Sequence, residues 1–71
     1  QYGEKPELLI TAGRACLANK LWGKARSYLE SAVKQNPTPA GYLELARLCE
    51  ETQNPEEASQ FMRKGLELAS N

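Results

Sequence analysis

The side chains of this 71-residue chain that could take part in chemistry are two cysteines, nine Asp or Glu residues and nine Lys or Arg residues; there is no histidine. Histidine is the commonest general base and metal ligand, and it is the usual activator of a cysteine nucleophile. Without it, acid–base, metal and thiol catalysis all lack their usual partner. We therefore predict that the chain is not an enzyme and has no catalytic residues, no metal site and no cofactor.

The two cysteines have a spacing that is typical of core residues. Cys16 and Cys49 are 33 residues apart, and each belongs to a stripe of small or apolar residues at helical spacing. Neighbouring helix axes lie about 8–10 Å apart, whereas a disulfide requires Cα atoms within about 7 Å of each other. We expect two buried, unbridged thiols; a metal or redox role is the alternative.

The acidic pairs and the glycines give only weak indications of a catalytic or nucleotide-binding site. Glu50–Glu51 and Glu56–Glu57 flank a predicted turn, where exposed acids commonly interact with the positive end of a helix. Catalytic carboxylates are the alternative interpretation of these pairs. The five glycines do not form the GxGxxG pattern of a dinucleotide site.

The charge pattern excludes one class of partner and favours one mode of association. Basic and acidic residues balance, and a balanced surface does not neutralise the phosphates of nucleic acid. Residues 1–36 carry six basic and three acidic residues, while residues 37–71 carry three and six. Opposite charges of this kind favour contact between copies. No apolar run reaches the roughly 18 residues that span a membrane, so we expect a soluble domain without direct membrane insertion.

The helices that would position these side chains come from a sequence motif that occurs twice in the chain. Pro6–Thr38 and Pro39–Asn71 align without gaps as two copies of 33 residues. In each copy, apolar residues recur at helical spacing in two segments, which predicts two helices per copy. Proline at the first helical position, with Asn or Thr before it, marks helix starts. We predict an all-α chain with helices at 6–19, 22–36, 39–52 and 55–70.

Small residues within these helices predict close crossings, because a small side chain lets two helix backbones approach each other. The predicted crossing residues are Gly13, Ala25 and Ala32 in the first copy and Ala46, Ala58 and Gly65 in the second. Larger apolar residues are expected to be buried beside them. They are Leu9, Trp22, Leu29, Val33, Tyr42, Leu45, Met62 and Leu66.

This pattern of sizes resembles the tetratricopeptide repeat, in which a large apolar residue, a small residue, an alanine, a second large residue, a small residue and a proline follow in order. The matching residues are Leu9, Gly13, Ala25, Leu29, Ala32 and Pro37, and then Tyr42, Ala46, Ala58, Met62, Gly65 and, in place of the proline, Ser70. The resemblance implies four antiparallel helices in a short right-handed solenoid, with repeats at 6–38 and 39–71. Residues 1–5 are expected to be the N-terminal remnant of a longer chain.

Tetratricopeptide repeats line their concave side with the first helix of each pair, which implies a partner groove in this chain. Exposed apolar and charged residues expected there suit an extended peptide or a helix of a protein partner. They are Ile10, Arg14, Leu17, Leu43, Arg47 and Glu50. Superfamily members that bind the C-terminal tails of chaperones use lysine and asparagine on this face, which Ile10 and Arg14 do not match. Solvated surface residues with incidental packing are the alternative.

The stretches LWGKARSYLE, AGYLELARLCEE and KGLELA resemble the C-terminal repeats of the HemY family, and Trp22–Ala25 is the most distinctive part. That family consists of proteobacterial inner-membrane proteins associated with haem biosynthesis. The resemblance implies a scaffold or regulatory function in tetrapyrrole metabolism and a parent protein anchored in the inner membrane, on either side. Direct porphyrin binding is an alternative. A flavin enzyme that shares the name is not implied, since the chain has no dinucleotide fingerprint.

Self-association of the parent protein is a further hypothesis. Two repeats are fewer than the three or so that usually bury a continuous core. The fourth predicted helix carries more apolar surface than its partner helix can cover, notably Phe61, Leu66 and Leu68. We therefore expect a weak homodimer in which the basic half of one chain meets the acidic half of another.

Overall fold

The computed structural model describes residues 5–70, so residues 1–4 of the predicted N-terminal remnant and Asn71 of the second repeat lie outside the described residues. Within this range the chain is all-α. It forms α1 (Pro6–Ala18), α2 (Trp22–Gln35), α3 (Pro39–Glu51) and α4 (Pro55–Ser70). The predicted fold class is confirmed, and each predicted helix boundary is correct to within one residue.

Three of the four helices begin at a proline: Pro6, Pro39 and Pro55. The fixed φ of proline suits the first helical position, where its missing N–H would have no partner within the helix. At α3, the N–H of Gly41 also donates to Oγ1 of Thr38 at 3.2 Å, which caps the helix. These local interactions explain why the helix starts could be predicted from the sequence.

The first helix of each pair ends in the same capping motif. Lys20 and Gln53 are 33 residues apart, and both have a φ of 60°. After α1, the N–H of Leu21 donates to the carbonyl of Cys16 at 2.8 Å, and the equivalent hydrogen bond after α3 measures 2.7 Å. A left-handed residue spanned by this hydrogen bond is the Schellman arrangement. The short turns bring α2 and α4 back along α1 and α3 as antiparallel neighbours.

The helices pack as two hairpins. α1 packs against α2 and α3 against α4, and α3 also contacts both helices of the first hairpin. Ala25 and Ala32 are fully buried, and a Cβ at Gly13 would come within 2.6 Å of a Leu29 methyl carbon. The predicted close crossings are therefore confirmed. Their counterparts in the second hairpin, also buried, are Ala46, Ala58 and Gly65.

Two residues of α4 that were predicted to be buried are exposed, Met62 at 39% and Leu66 at 60%. The prediction is wrong because it assumed that a further helix covers the second helix of each repeat. In the first repeat, α3 packs on α2 and places Gly41 against Val33, the equivalent of Leu66. Within residues 5–70, no third helix lies over the same side of α4.

Candidate partner-binding groove

An open cavity of about 590 Å³ lies between α1 and α3. The turn after α1 and the start of α2 complete its wall. Three basic, two acidic and three apolar side chains meet there. The lining residues are Arg14, Leu17, Ala18, Lys20, Trp22, Glu44, Arg47 and Glu51.

Three of the six residues predicted for the groove line this cavity: Arg14, Leu17 and Arg47. Ile10 does not, and the prediction that it is exposed is wrong, since its exposed fraction is 9%. α3 comes so close that a Cβ at Gly41 would lie 3.7 Å from Cδ1 of Ile10. This part of α1 therefore packs the two hairpins together instead of facing a partner.

The other two predicted residues, Leu43 and Glu50, are exposed but lie outside the cavity lining. Leu43 is on the side of α3 that faces α4, where its Cδ2 would be 3.6 Å from a Cβ at Gly65. Lys20 and Trp22 line the cavity although sequence analysis did not place them there. Their signal is the tight turn after α1, which returns the chain to the end of the groove.

Glu44 is a buried acid in the wall of the cavity. Its exposed fraction is 7%, and Nε of Arg14 donates to its Oε2 at 2.8 Å. The other oxygen, Oε1, is buried without a hydrogen-bond donor among residues 5–70. A buried carboxylate oxygen without a donor is unfavourable, so such an atom marks a place that a ligand can complete. The repeat pattern predicts that Glu44 lies on the groove face of α3 but did not predict its burial, although its spacing from Gly41 places it on the side of α3 that faces the first hairpin.

Positive charge exceeds negative charge in the cavity. The side chain of Arg14 is 58% exposed, and within residues 5–70 only its Nε is hydrogen-bonded. In the same range, neither Lys20 nor Arg47 forms a salt bridge. Among the described residues, the groove therefore presents Lys20 and Arg47 without a salt-bridge partner, beside the apolar surface of Leu17 and Trp22.

A second polar cluster joins the hairpins through α2 and α4. Arg26 donates to both oxygens of Glu57, at 3.1 and 2.8 Å, and its Nε donates to Glu30 at 2.7 Å. The hydrogen bonds from Arg26 hold the pKa of Glu57 below its usual range, while pairing with Glu57 and Glu30 raises the pKa of Arg26. Sγ of Cys49 lies 3.8 Å from Oε1 of Glu57. Burial and then the charge of Glu57 raise the pKa of that thiol, which keeps it protonated.

Both cysteines occupy core positions, as predicted. Cys16 is 9% exposed, Cys49 is fully buried, and both are free thiols. Among residues 5–70, no three His, Cys, Asp or Glu side chains are grouped closely enough to hold a metal ion. Because both thiols are buried, they contribute to the packing of the core.

The residues predicted for self-association lie in different environments. Leu66 is exposed to solvent. Phe61 is half-buried, with its ring centroid 6.1 Å from that of Tyr42 and 5.9 Å from the Arg26 guanidinium carbon. Leu68 is half-buried beside a smaller open cavity of about 350 Å³. Of the three, Leu66 has the most surface available for another molecule.

Comparisons with known proteins agree with this arrangement of helices. Models described as tetratricopeptide repeat match residues 6–48 and residues 40–71. The chain belongs to the tetratricopeptide repeat family. Tetratricopeptide repeats stack in tandem and expose extended concave surfaces that bind other proteins.

This tetratricopeptide repeat chain is also similar to longer curated proteins. Protein HemY of Escherichia coli strain K12 and Protein HemY of Shigella flexneri are each 33% identical to it over 66 residues. The alignment covers 93% of this chain but 17% of the length of each relative, and the predicted resemblance to HemY is confirmed. No solved structure matches the chain significantly. None of the four helices in residues 5–70 has both the length and the apolar character needed to cross a membrane.

Proposed function

We propose that this chain is a non-catalytic scaffold module that recognises an extended segment of a protein partner in the cavity between α1 and α3. The observation that carries the proposal is the pair of exposed cations, Lys20 and Arg47, beside the apolar side chains of Leu17 and Trp22. Adjacent apolar and charged groups are what an interface needs for burial and for orientation. Membership of the tetratricopeptide repeat family supports the proposal, since such repeats bind proteins on this surface.

The similarity to Protein HemY supports a setting for the module. Its identity of 33% over 93% of this chain favours a HemY-like parent protein, associated with haem or tetrapyrrole metabolism and anchored in a bacterial inner membrane. In that setting the module holds a partner and leaves chemistry to other proteins. The repeat boundaries at 6–38 and 39–71 belong to the same proposal.

Photocrosslinking in the native host tests the groove. A photoreactive residue at Ala18, which is exposed and lines the cavity, should capture a partner protein, whereas the same residue at exposed Ser59 on α4 should not. Arg47→Glu should abolish the capture at Ala18. Arg63→Glu makes the same change of charge on exposed α4 and should preserve it. Capture that survives Arg47→Glu, or that is equal from Ser59, would contradict the proposal.

For this test, Arg47 is a better position for the substitution than Arg14. Arg14→Glu would bring a second carboxylate against the buried Glu44, which destabilises the fold as well as the groove. Arg47 forms no salt bridge within residues 5–70, and changes at exposed positions normally alter the free energy of unfolding by less than about 0.5 kcal/mol. Its effect on capture therefore reports on binding.

A comparison between the two repeats favours self-association as a second candidate function. Leu43, Met62 and Leu66 form an apolar edge on α3 and α4, with exposed fractions of 45%, 39% and 60%. The residues 33 positions earlier are buried or half-buried, and they are Ile10, Leu29 and Val33. An apolar edge that is covered in one repeat and open in the other suits a helix from a second copy. The opposite net charges of the two halves support such a contact.

A further inference from the structure

The lining of the cavity also indicates which class of peptide fits it. We propose that the groove takes an extended acidic peptide segment of a partner protein. The segment presents a carboxylate to Arg47 and Lys20, a backbone N–H to Oε1 of Glu44, and an apolar side chain to Leu17 and Trp22. This inference rests on the proposed function and adds the chemistry of the ligand.

The charge balance of the lining favours an acidic ligand. Arg14 and Glu44 pair with each other, which leaves Lys20 and Arg47 against Glu51. An exposed guanidinium can bind a carboxylate through two parallel hydrogen bonds. A basic segment would instead place like charges against each other, which opposes binding.

The orphan oxygen of Glu44 favours a ligand that also carries an N–H group. Oε1 is buried and has no donor among residues 5–70, and Glu44 belongs to the lining of the cavity. A peptide backbone supplies one N–H per residue. A free carboxylate or phosphate ion supplies none. The cavity therefore fits a peptide better than it fits a small anion.

The apolar part of the lining favours a large side chain next to the acid. Leu17 and Trp22 are half-buried, and each still has surface on the cavity. Tryptophan offers a large contact area with few torsions to fix, which is why it is enriched at the centre of interfaces. An acidic and an apolar residue close together in one peptide would use both halves of the site.

A library of random peptides displayed on phage and selected on the intact chain tests the proposal. The selected sequences should contain Asp or Glu within a few residues of a large apolar side chain. Synthesised singly, these peptides should bind Arg47→Glu roughly tenfold more weakly than the parent chain, as expected for the loss of a charge-assisted hydrogen bond. Arg63→Glu is the matched control, and it should bind them as the parent chain does.

Methylation of single backbone nitrogens in a selected peptide tests the contact with Glu44. One methylated position should weaken binding to the parent chain roughly tenfold, because its N–H no longer donates. The factor lost on methylation should be smaller with Glu44→Gln, whose amide is a weaker acceptor than a carboxylate. An equal factor with both proteins would remove Glu44 from the site.

Each remaining outcome bears on a different part of the proposal. Selection of peptides without acidic residues would overturn the acidic ligand and leave groove recognition intact. No selection, or selected peptides that bind Arg47→Glu as tightly as the parent chain, would overturn the proposed function as well. If Arg47→Glu converts a self-associated chain to single-chain mass in sedimentation, the occupant is a second copy and the proposal is wrong.

Discussion

Two glycines of the first repeat have opposite surroundings. At Gly13, an added Cβ would lie 2.6 Å from Cδ2 and 2.7 Å from Cγ of Leu29, which is fully buried, so the Leu29 side chain would have to shift. At Gly23, apart from the adjoining residues and the backbone of its own helix, no atom of residues 5–70 lies within 4 Å of an added Cβ. Replacing each of the two glycines by alanine therefore separates the effect of helix propensity on stability from the effect of packing.

We expect Gly13→Ala to lower the free energy of unfolding by about 1–3 kcal/mol, because a packed core has to shift. Gly23→Ala should leave it unchanged or raise it by up to about 1 kcal/mol, because alanine favours a helix over glycine. Urea denaturation measures both variants. Equal stabilities would show that α1 and α2 do not cross closely at Gly13.

The pairing of Glu57 with Arg26 should make stability depend on pH in acid. Hydrogen bonds from Arg26 hold the pKa of Glu57 in the folded chain below its ordinary value of 4.5, so the unfolded chain takes up the proton first as the pH falls. The stabilising contribution is therefore complete above the unfolded pKa and is lost as the pH falls through the lower folded pKa.

Glu57→Gln should remove this dependence. The difference in unfolding free energy between parent chain and variant should be largest near neutral pH and should shrink below about pH 4. Denaturation at a series of pH values measures it, and Glu56→Gln, an exposed neighbour, serves as control. A difference that stays constant across this range would mean that the ion pair does not form in solution.

At the scale of the helices and turns, the caps after α1 and α3 hold residues other than glycine in a left-handed conformation. Gln53 has a φ of 60° and is exposed. This conformation costs a non-glycine residue roughly 1–2 kcal/mol, and glycine is the commonest residue at this position of the cap. Gln53→Gly should therefore raise the free energy of unfolding by roughly 0.5–1 kcal/mol, partly offset by the greater entropy of glycine in the unfolded chain.

Thermal unfolding of Gln53→Gly and Gln60→Gly gives a matched comparison. Gln60 is an exposed residue inside α4, where glycine should cost about 1 kcal/mol. The two variants should thus move the melting temperature in opposite directions. Similar destabilisation by both would argue against the left-handed cap.

The helices could be located from the sequence because their ends depend on local chemistry, such as the Thr38 cap. Burial could be predicted only in part, because it also depends on contacts between repeats. Leu48 is 2% exposed and was missed, since α3 packs on two sides while periodicity identifies one stripe. The groove shows the same limit: its arginines follow from the repeat, but Lys20 and Trp22 were missed, because the predicted helix boundaries give the length of the turn after α1 and not its left-handed conformation at Lys20.

For the whole molecule, the open apolar edge predicts weak self-association. Leu66→Glu should abolish it with little change in melting temperature, because this side chain is already 60% exposed. Ser59→Glu adds the same charge at another exposed position of α4 and should associate as the parent chain does. Sedimentation equilibrium over a wide range of concentration measures the mean mass. A parent chain that keeps the mass of one chain throughout would rule out this function.

The Arg14–Glu44 ion pair bears on how such a site can arise. The second repeat has its own arginine at the equivalent position, Arg47, but the first repeat has Thr11 where the second has Glu44. Duplication of one hairpin would by itself give a cleft whose two walls carry the same residues. The difference between the two copies at this position adds a buried acid to the cleft, and the ion pair of that acid with Arg14 ties one wall to the other. A single hairpin would lack this cleft, because the residues that line it come from both repeats.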